Sequence, residues 1–571
     1  MAIWRHTQAT EMENLMTQRQ TQSLTPRTEP SSDQESAPVV RTEVLVIGAG
    51  VCGIYTLYRL RELGFKTIVL EAGDAPGGTW YWNRYPGCRF DSESYTYGYS
   101  FSPELLQEWD WKERFAPQPE TLSYLNYVVE KFDLRRHMVF GSRVSDAIFD
   151  EAENEWVVQT EDGAVYRSTY LMTAVGMLSA PTLPRIEGRE SFGGTAFHTY
   201  DWPQEKTDFT GERVGVIGTG ATGVQIIPVV AKQAKELYVF QRRPNWCAPL
   251  HNSPIPPEEM ARIKARYDEI FEKCSKTPGG FLHGPDRRKF NEVSEEDRLA
   301  FWEELYASPG FGVWVGNFVE VLTDPEVNAE YTAFIADKIR QRVHNREVAE
   351  KLIPKDHGFG TRRVPLETRY YEAYNQDNVH LIDVKESPIE RITPKGVRTA
   401  DGEYELDSLI YATGFDAITG SFDRINIIGR NGQSLRDQWN EGPLTFLGVQ
   451  SHGFPNLFTL AGPQGGSVST NFPRGIEDIV DWVADFLVTL RDKGVQRVEP
   501  QQDAVDAWQK EVRDLYQMTL FHTAKSWFTG YNSNIEGRDG IRYLIYNGGS
   551  PRYRRRLEEV ANKGYEGFDL Q

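Results

Sequence analysis

Glu71, Asp91, Arg242, Arg243, Arg362 and Arg363 are charged residues whose setting in this chain suggests chemistry, and two glycine triplets indicate on what. Gly48, Gly50 and Gly53 follow the apolar run EVLVI at 43–47. Gly218, Gly220 and Gly223 follow the apolar run VGVI at 214–217. Each triplet is spaced G-x-G-x-x-G between a predicted strand and a predicted helix. There the bare backbone can approach a pyrophosphate, and the helix N-terminus faces its negative charge. One such motif is weak evidence; a second copy in the same chain strengthens both.

The strand after each turn distinguishes the two ligands. The run at 66–70 ends on Glu71, a carboxylate placed to accept ribose hydroxyls, so FAD or NAD is expected there. The matching run at 236–240 ends in Gln241, Arg242 and Arg243, with no acid. Two guanidiniums in that place favour a 2′-phosphate and hence NADPH. FAD plus NADPH is the expected pair.

Two loops carry the remaining candidates. Residues 77–91, GGTWYWNRYPGCRFD, form a segment dense in aromatics that suits a planar ligand. Asp91 ends it in apolar company, where a carboxylate is costly unless a cation pairs with it; the alternative is that it caps the next helix. Residues 358–365, GFGTRRVP, present Arg362 and Arg363 between glycines, unless this is a solvated basic turn.

These candidates need an α/β scaffold with two Rossmann-like dinucleotide-binding domains and a helical insertion. The expected division is a flexible arm at 1–40, an FAD domain at 41–170 and 407–571, and an NADPH domain at 171–248 and 356–406. The insertion is expected at 249–355. In it, 256–273, 294–305 and 324–343 show helical spacing, and Asp324-Pro325 reads as an N-cap with proline in the first turn. Phe311, Trp314 and Phe318 form an apolar face that suits the floor of a substrate cavity, or simply core. Strands are expected at 170–176 and 408–411, each running into a small-residue turn, and a helix at 469–490.

Composition narrows the partners. The chain has 571 residues, 63 Lys and Arg against 82 Asp and Glu, and a net charge of −19, which argues against nucleic acid or an anionic membrane surface. No apolar run is long enough to span a bilayer. Cys52, Cys88, Cys247 and Cys274 show neither a dithiol pair nor metal-ligand spacing, so no metal and a reducing, cytoplasmic setting are expected. A monomer or weak homo-oligomer is the expected state.

The motifs together resemble the Baeyer–Villiger monooxygenases, the class B flavoprotein oxygenases. The resemblance rests on both glycine turns and on Phe192, Gly194, His198, Trp202 and Pro203 between them. It rests also on WYWNRYPG at 80–87, TRR at 361–363, ATGFD at 412–416 and SWF at 526–528, and it covers roughly 42–550. Trp202-Pro203 is the ending of the ketone-oxidising branch. The resemblance implies a small ketone and O2 as substrates, a C4a-peroxyflavin, and an ester or lactone as product. It makes Arg363 the cation beside the reacting oxygen and Asp91 the carboxylate that orients it. Arg362 stands where the family has lysine. Cofactor contacts are implied for Thr79, Trp80, Trp82, Tyr97, Val144 and Phe472, and for Thr219, Ala221, Thr222 and Gln225. Trp527 resembles a tryptophan that contacts nicotinamide ribose or substrate, and His198 holds the linker between domains. The alternatives are an N- or S-oxygenating flavin monooxygenase, or a non-oxygenating flavoprotein: an uncoupled NADPH oxidase or a redox sensor.

Overall fold

The run at 43–47 ends strand β1 (Val40–Ile47), which is buried from Val44 onward. A continuous apolar stretch of this kind belongs in a parallel sheet covered on both faces. The computed structural model describes residues 39–467 and 470–571. The expected arm lies outside the described residues except for its last two. Val40 already pairs with Tyr166, so the sheet starts inside the stretch read as arm.

β1 pairs in parallel with β2 (Thr67–Leu70) on one side and with β6 (Val165–Thr173) on the other. β2 pairs onward with β3 (Met138–Val139), while β4 (Val144–Asp150) and β5 (Glu155–Thr160) extend the sheet from β6 as an antiparallel meander. The strands Asn426–Ile428 and Leu457–Thr459 complete it against β4 and β6. The helix α1 (Val51–Glu62) covers one face and packs against α3 (Phe472–Lys493), the helix expected at 469–490. The second sheet is parallel throughout, in the order Val379–Asp383, β9 (Glu236–Gln241), β8 (Arg213–Ile217), Ser408–Tyr411, β7 (Thr195–His198). Its helix α2 (Ala221–Val230) follows β8.

Three expected boundaries move. The division at 170 falls inside β6, which continues to Thr173 because its buried edge pairs with β1. The division at 407 assigns Ser408–Tyr411 to the FAD side, yet this strand lies between β8 and β7 in the second sheet. All four of its positions are buried, three of them by Leu409, Ile410 and Tyr411, and either sheet could have taken such a run. In the insertion, the stretch read as one helix at 256–273 is two, Pro257–Lys264 and Tyr267–Lys276, broken at Arg266. Asp324 caps the helix Pro325–Arg342 as expected, accepting from the amides of Glu326 and Val327.

Candidate active site between two dinucleotide turns

The two turns are near copies in three dimensions. Gly48 adopts φ +106° and Gly218 φ +113°, a region that side chains avoid. A Cβ on Gly48 would lie 2.5 Å from the carbonyl oxygen of Ala174, and one on Gly218 would lie 2.3 Å from that of Ala412. The third glycines are as tight: a Cβ on Gly53 would meet the Gly48 oxygen at 1.8 Å, and one on Gly223 the Gly218 oxygen at 2.4 Å. Gly50 and Gly220 are the extended N-caps of α1 and α2. Among the described residues no side chain caps either helix, and neither has an acid in its first turn. The leading N–H groups, those of Ala221 and Thr222 among them, are thus left for an anion.

The strand ends differ as the sequence implies. Glu71 accepts the amides of Ala49 and Gly73, each at 2.7 Å, which fixes its carboxylate beside the first turn. Burial raises its pKa, opposed by those hydrogen bonds. The amide of Ser142 donates to the Glu71 carbonyl and brings the start of β4, at Val144, alongside. At the second turn the Thr219 hydroxyl donates to the Arg243 carbonyl at 2.9 Å. Arg242 is exposed; Arg243 lies over the Tyr531 ring and reaches its hydroxyl at 3.4 Å. The structure brings Arg362 to this side of the site, where it pairs with Asp356 at 3.1 Å. Burial pushes its pKa down, Asp356 opposes that shift, and the neighbouring Arg243 reinforces it. Arg362, a candidate by its glycine-flanked loop, therefore belongs to a basic cluster with Arg243.

Asp91 and Arg363 meet. Their Oδ2 and Nη1 atoms are 2.8 Å apart, with Asp91 buried and the Arg363 side chain 31% exposed. The Leu366 amide donates to the same carboxylate oxygen at 3.1 Å, while Oδ1 has no donor among the described residues. Asp91 caps no helix: the next one, Ser94–Tyr97, has Glu93 at its N-cap. The guanidinium also lies 5.9 Å over the ring of Phe311. Of the expected apolar face, Phe311 and Trp314 pack on each other, whereas Phe318 packs on Phe290 and Phe301 within the insertion.

The aromatic loop lies across both turns. Gly77 donates to the Ala49 carbonyl, and Gly78 presses on Gly50, which starts the helix Thr79–Trp82 at the first turn. Trp80 donates to the Tyr97 hydroxyl at 3.2 Å, and Phe90 stacks on Tyr97 at 4.3 Å. Trp82 stacks on Tyr200 of the stretch 192–203. Farther along, Tyr85 donates to the Gln225 side chain, whose amide donates to the Arg89 carbonyl at 2.9 Å. That places α2 against the loop carrying Asp91. Asn471, which starts α3 and precedes Phe472, donates to the carbonyl and hydroxyl of Thr96. Trp527 packs on Phe528 in a segment whose Tyr531 meets Arg243.

His198 is a fastener. The Tyr200 amide donates to its Nδ1, so the ring proton sits on Nε2, which donates to the Thr182 carbonyl at 3.3 Å. Burial pushes its pKa down to about 4. The folded state thus resists a proton that the unfolded chain takes up at its ordinary value near 6.5. Stability should be complete above that value and fall as pH drops toward 4, by up to about 3 kcal/mol. His198→Gln should flatten the fall in Tm between pH 6.5 and 4; an unchanged slope would clear His198 of responsibility.

The glycine clearances, open helix N-termini and opposite ribose ends fit one dinucleotide at each turn. Together they define a two-dinucleotide oxidoreductase, and the family model that matches residues 45–296 is described as pyridine nucleotide-disulphide oxidoreductase. The four cysteines are buried and free, so this chain shares that fold without a dithiol pair. It is 48% identical over 547 residues to the 2-oxo-Δ3-4,5,5-trimethylcyclopentenylacetyl-CoA monooxygenase of Pseudomonas putida, covering 94% of this chain and 100% of that one. A Baeyer–Villiger monooxygenase of Pseudooceanicola batsensis is 41% identical over 526 residues, with 92% and 95% covered. A crystal structure of OTEMO in complex with FAD and NADP matches with a TM-score of 0.90 at 48% identity, covering 93% of this chain and 99% of that one. The chain belongs to the Baeyer–Villiger monooxygenase family.

Proposed function

We propose that this protein is an FAD- and NADPH-dependent Baeyer–Villiger monooxygenase. It would consume a small ketone, O2, NADPH and a proton, and release an ester or lactone, NADP⁺ and water. The observation that carries the reading is the Arg363–Asp91 ion pair at 2.8 Å, beside a framework with two dinucleotide turns. Bound FAD supplies the two-electron chemistry between NADPH and O2. The chain's own residues do the rest. Glu71 holds the flavin nucleotide's ribose, while Arg242, Arg243 and Arg362 hold the 2′-phosphate of NADPH. Arg363 keeps a fixed positive charge where negative charge develops on the reacting oxygen, in a setting walled by aromatics. Asp91 fixes the direction of that charge. Trp527 stands on the NADPH side, against nicotinamide ribose or substrate.

A panel of cyclic and linear ketones, scored by product mass and by product per NADPH, tests this. At least one ketone should gain a single oxygen atom with near-stoichiometric use of NADPH. Hydrogen peroxide as the sole product with every ketone would indicate an oxidase, and oxidation confined to amines or sulfides would indicate the other oxygenase branch. The nucleotide assignment has its own check. Replacing Arg242 and Arg243 together by alanine should cost NADPH binding about 1.5–3 kcal/mol for each charged hydrogen bond lost. NADH turnover should hardly change, and equal kcat/KM for the two nucleotides in the parent protein would sink the assignment.

A further inference from the structure

Glu93 lies two residues past Asp91 and is buried, its side chain 4% exposed. Its Oε1 lies 2.9 Å from Nε2 of His283, while Oε2 has no hydrogen-bond donor among the described residues. His283 comes from the helical insertion, far away in sequence. Two glycines bracket the pair. A Cβ on Gly310 would stand 2.7 Å from the Glu93 oxygen, and one on Gly312 would stand 3.2 Å from Nδ1 of His283. Between those glycines is Phe311, packed on Phe281 at 4.8 Å and lying under the Arg363 guanidinium. Trp314, on the next turn, donates to the Gly360 carbonyl at 3.1 Å, in the loop that carries Arg363.

These contacts close a ring: Asp91 and Glu93, His283, the segment 310–314, Gly360 and Arg363, and back to Asp91. We infer that Glu93 and His283 form a positioning pair for oxygen insertion. They seat Phe311, which lies against the face of the Arg363 guanidinium, and Trp314, which holds the Arg363 loop at Gly360, while Asp91 holds the end of the side chain. A carboxylate with one bare buried oxygen is an expensive way to fasten a loop. The glycines on both sides leave room for this pair and little else. The inference rests on the role proposed for Arg363.

The test uses FAD-loaded enzyme and the best ketone of the panel. Glu93→Gln keeps an oxygen where the imidazole N–H points, and should keep product per NADPH within about twofold of the parent. Glu93→Ala removes the acceptor, and Gly310→Ala drives a methyl group into it. Both should be reduced by NADPH at near the parental rate, yet make about tenfold less ester per NADPH, the balance appearing as hydrogen peroxide. If Glu93→Ala loses FAD, His283→Ala replaces it, since that side chain is only partly buried. Parental coupling in Glu93→Ala and Gly310→Ala would overturn the inference. So would a Glu93→Gln variant as poor as Glu93→Ala, since the carboxylate's charge and not its placement would then matter. Arg363→Ala is run alongside. If it still makes ester, the reading of Arg363 fails; if it makes none while Glu93→Ala couples normally, only the positioning role fails.

Discussion

Arg363→Ala should bind FAD, oxidise NADPH slowly and form essentially no ester, releasing hydrogen peroxide instead. The side chain reaches neither glycine turn, so cofactor binding has little reason to change. Its charge is fixed by the 2.8 Å contact with Asp91, and a preorganised charge of this kind needs no rearrangement as negative charge appears. Losing one comparable donor costs roughly 3–4 kcal/mol, or a factor of about 10² to 10³ in rate. Asp91→Ala should resemble it for a different reason. Removing Asp91 leaves the half-buried Arg363 guanidinium unmatched and free to swing, and the Leu366 amide loses its acceptor as well. Stopped-flow absorbance, which separates flavin reduction from the return to oxidised flavin, combined with product analysis, decides both cases. Ester formation by Arg363→Ala near the parental rate would reduce this arginine to a basic turn.

Gly53→Ala should yield protein without FAD. The added methyl carbon would lie 1.8 Å from the Gly48 carbonyl oxygen, in backbone that cannot yield without opening the turn. Gly64 is the control, for it also has positive φ, +80°, but a Cβ there meets nothing within 4 Å. Gly64→Ala should cost about 1–2 kcal/mol of left-handed strain and retain its flavin. The absorbance of bound flavin in purified protein reads out both variants. A yellow Gly53→Ala protein with parental flavin content would mean that the turn tolerates a side chain, and the cradle argument would fail with it.

The two turns were legible because they are local: strand, glycines and helix lie within about two dozen residues, and the first and third glycines of each answer to a clash that any side chain would cause. The opposite charges there were equally plain, because Glu71 and Arg242–Arg243 follow strands in matching positions. Asp91 and Arg363 each stood out as candidates, but their pairing came only through a family likeness, since 272 positions separate partners whose meeting depends on the whole fold. The pairing of Glu93 with His283, and that of Arg362 with Asp356, left no mark in the sequence. Ser408–Tyr411 was read as a strand but given to the wrong sheet. An apolar run states that it is buried, not which neighbours bury it. Phe318 illustrates the same limit, sharing the helical spacing of Phe311 yet facing Phe290 and Phe301.

Phe90 is the one residue between Arg89, whose carbonyl is gripped by Gln225 of α2, and Asp91, whose carboxylate is gripped by Arg363. The flavin-side loop is therefore pinned on both flanks of a single aromatic ring, and that ring stacks on Tyr97. In mechanical terms it is a bracket and not a hinge. Any sliding of α2 pulls on the same backbone that carries Asp91, the partner of Arg363. The second glycine turn with its helix and the bearing of Arg363 thus share one frame of reference, and drift in one is geared to drift in the other.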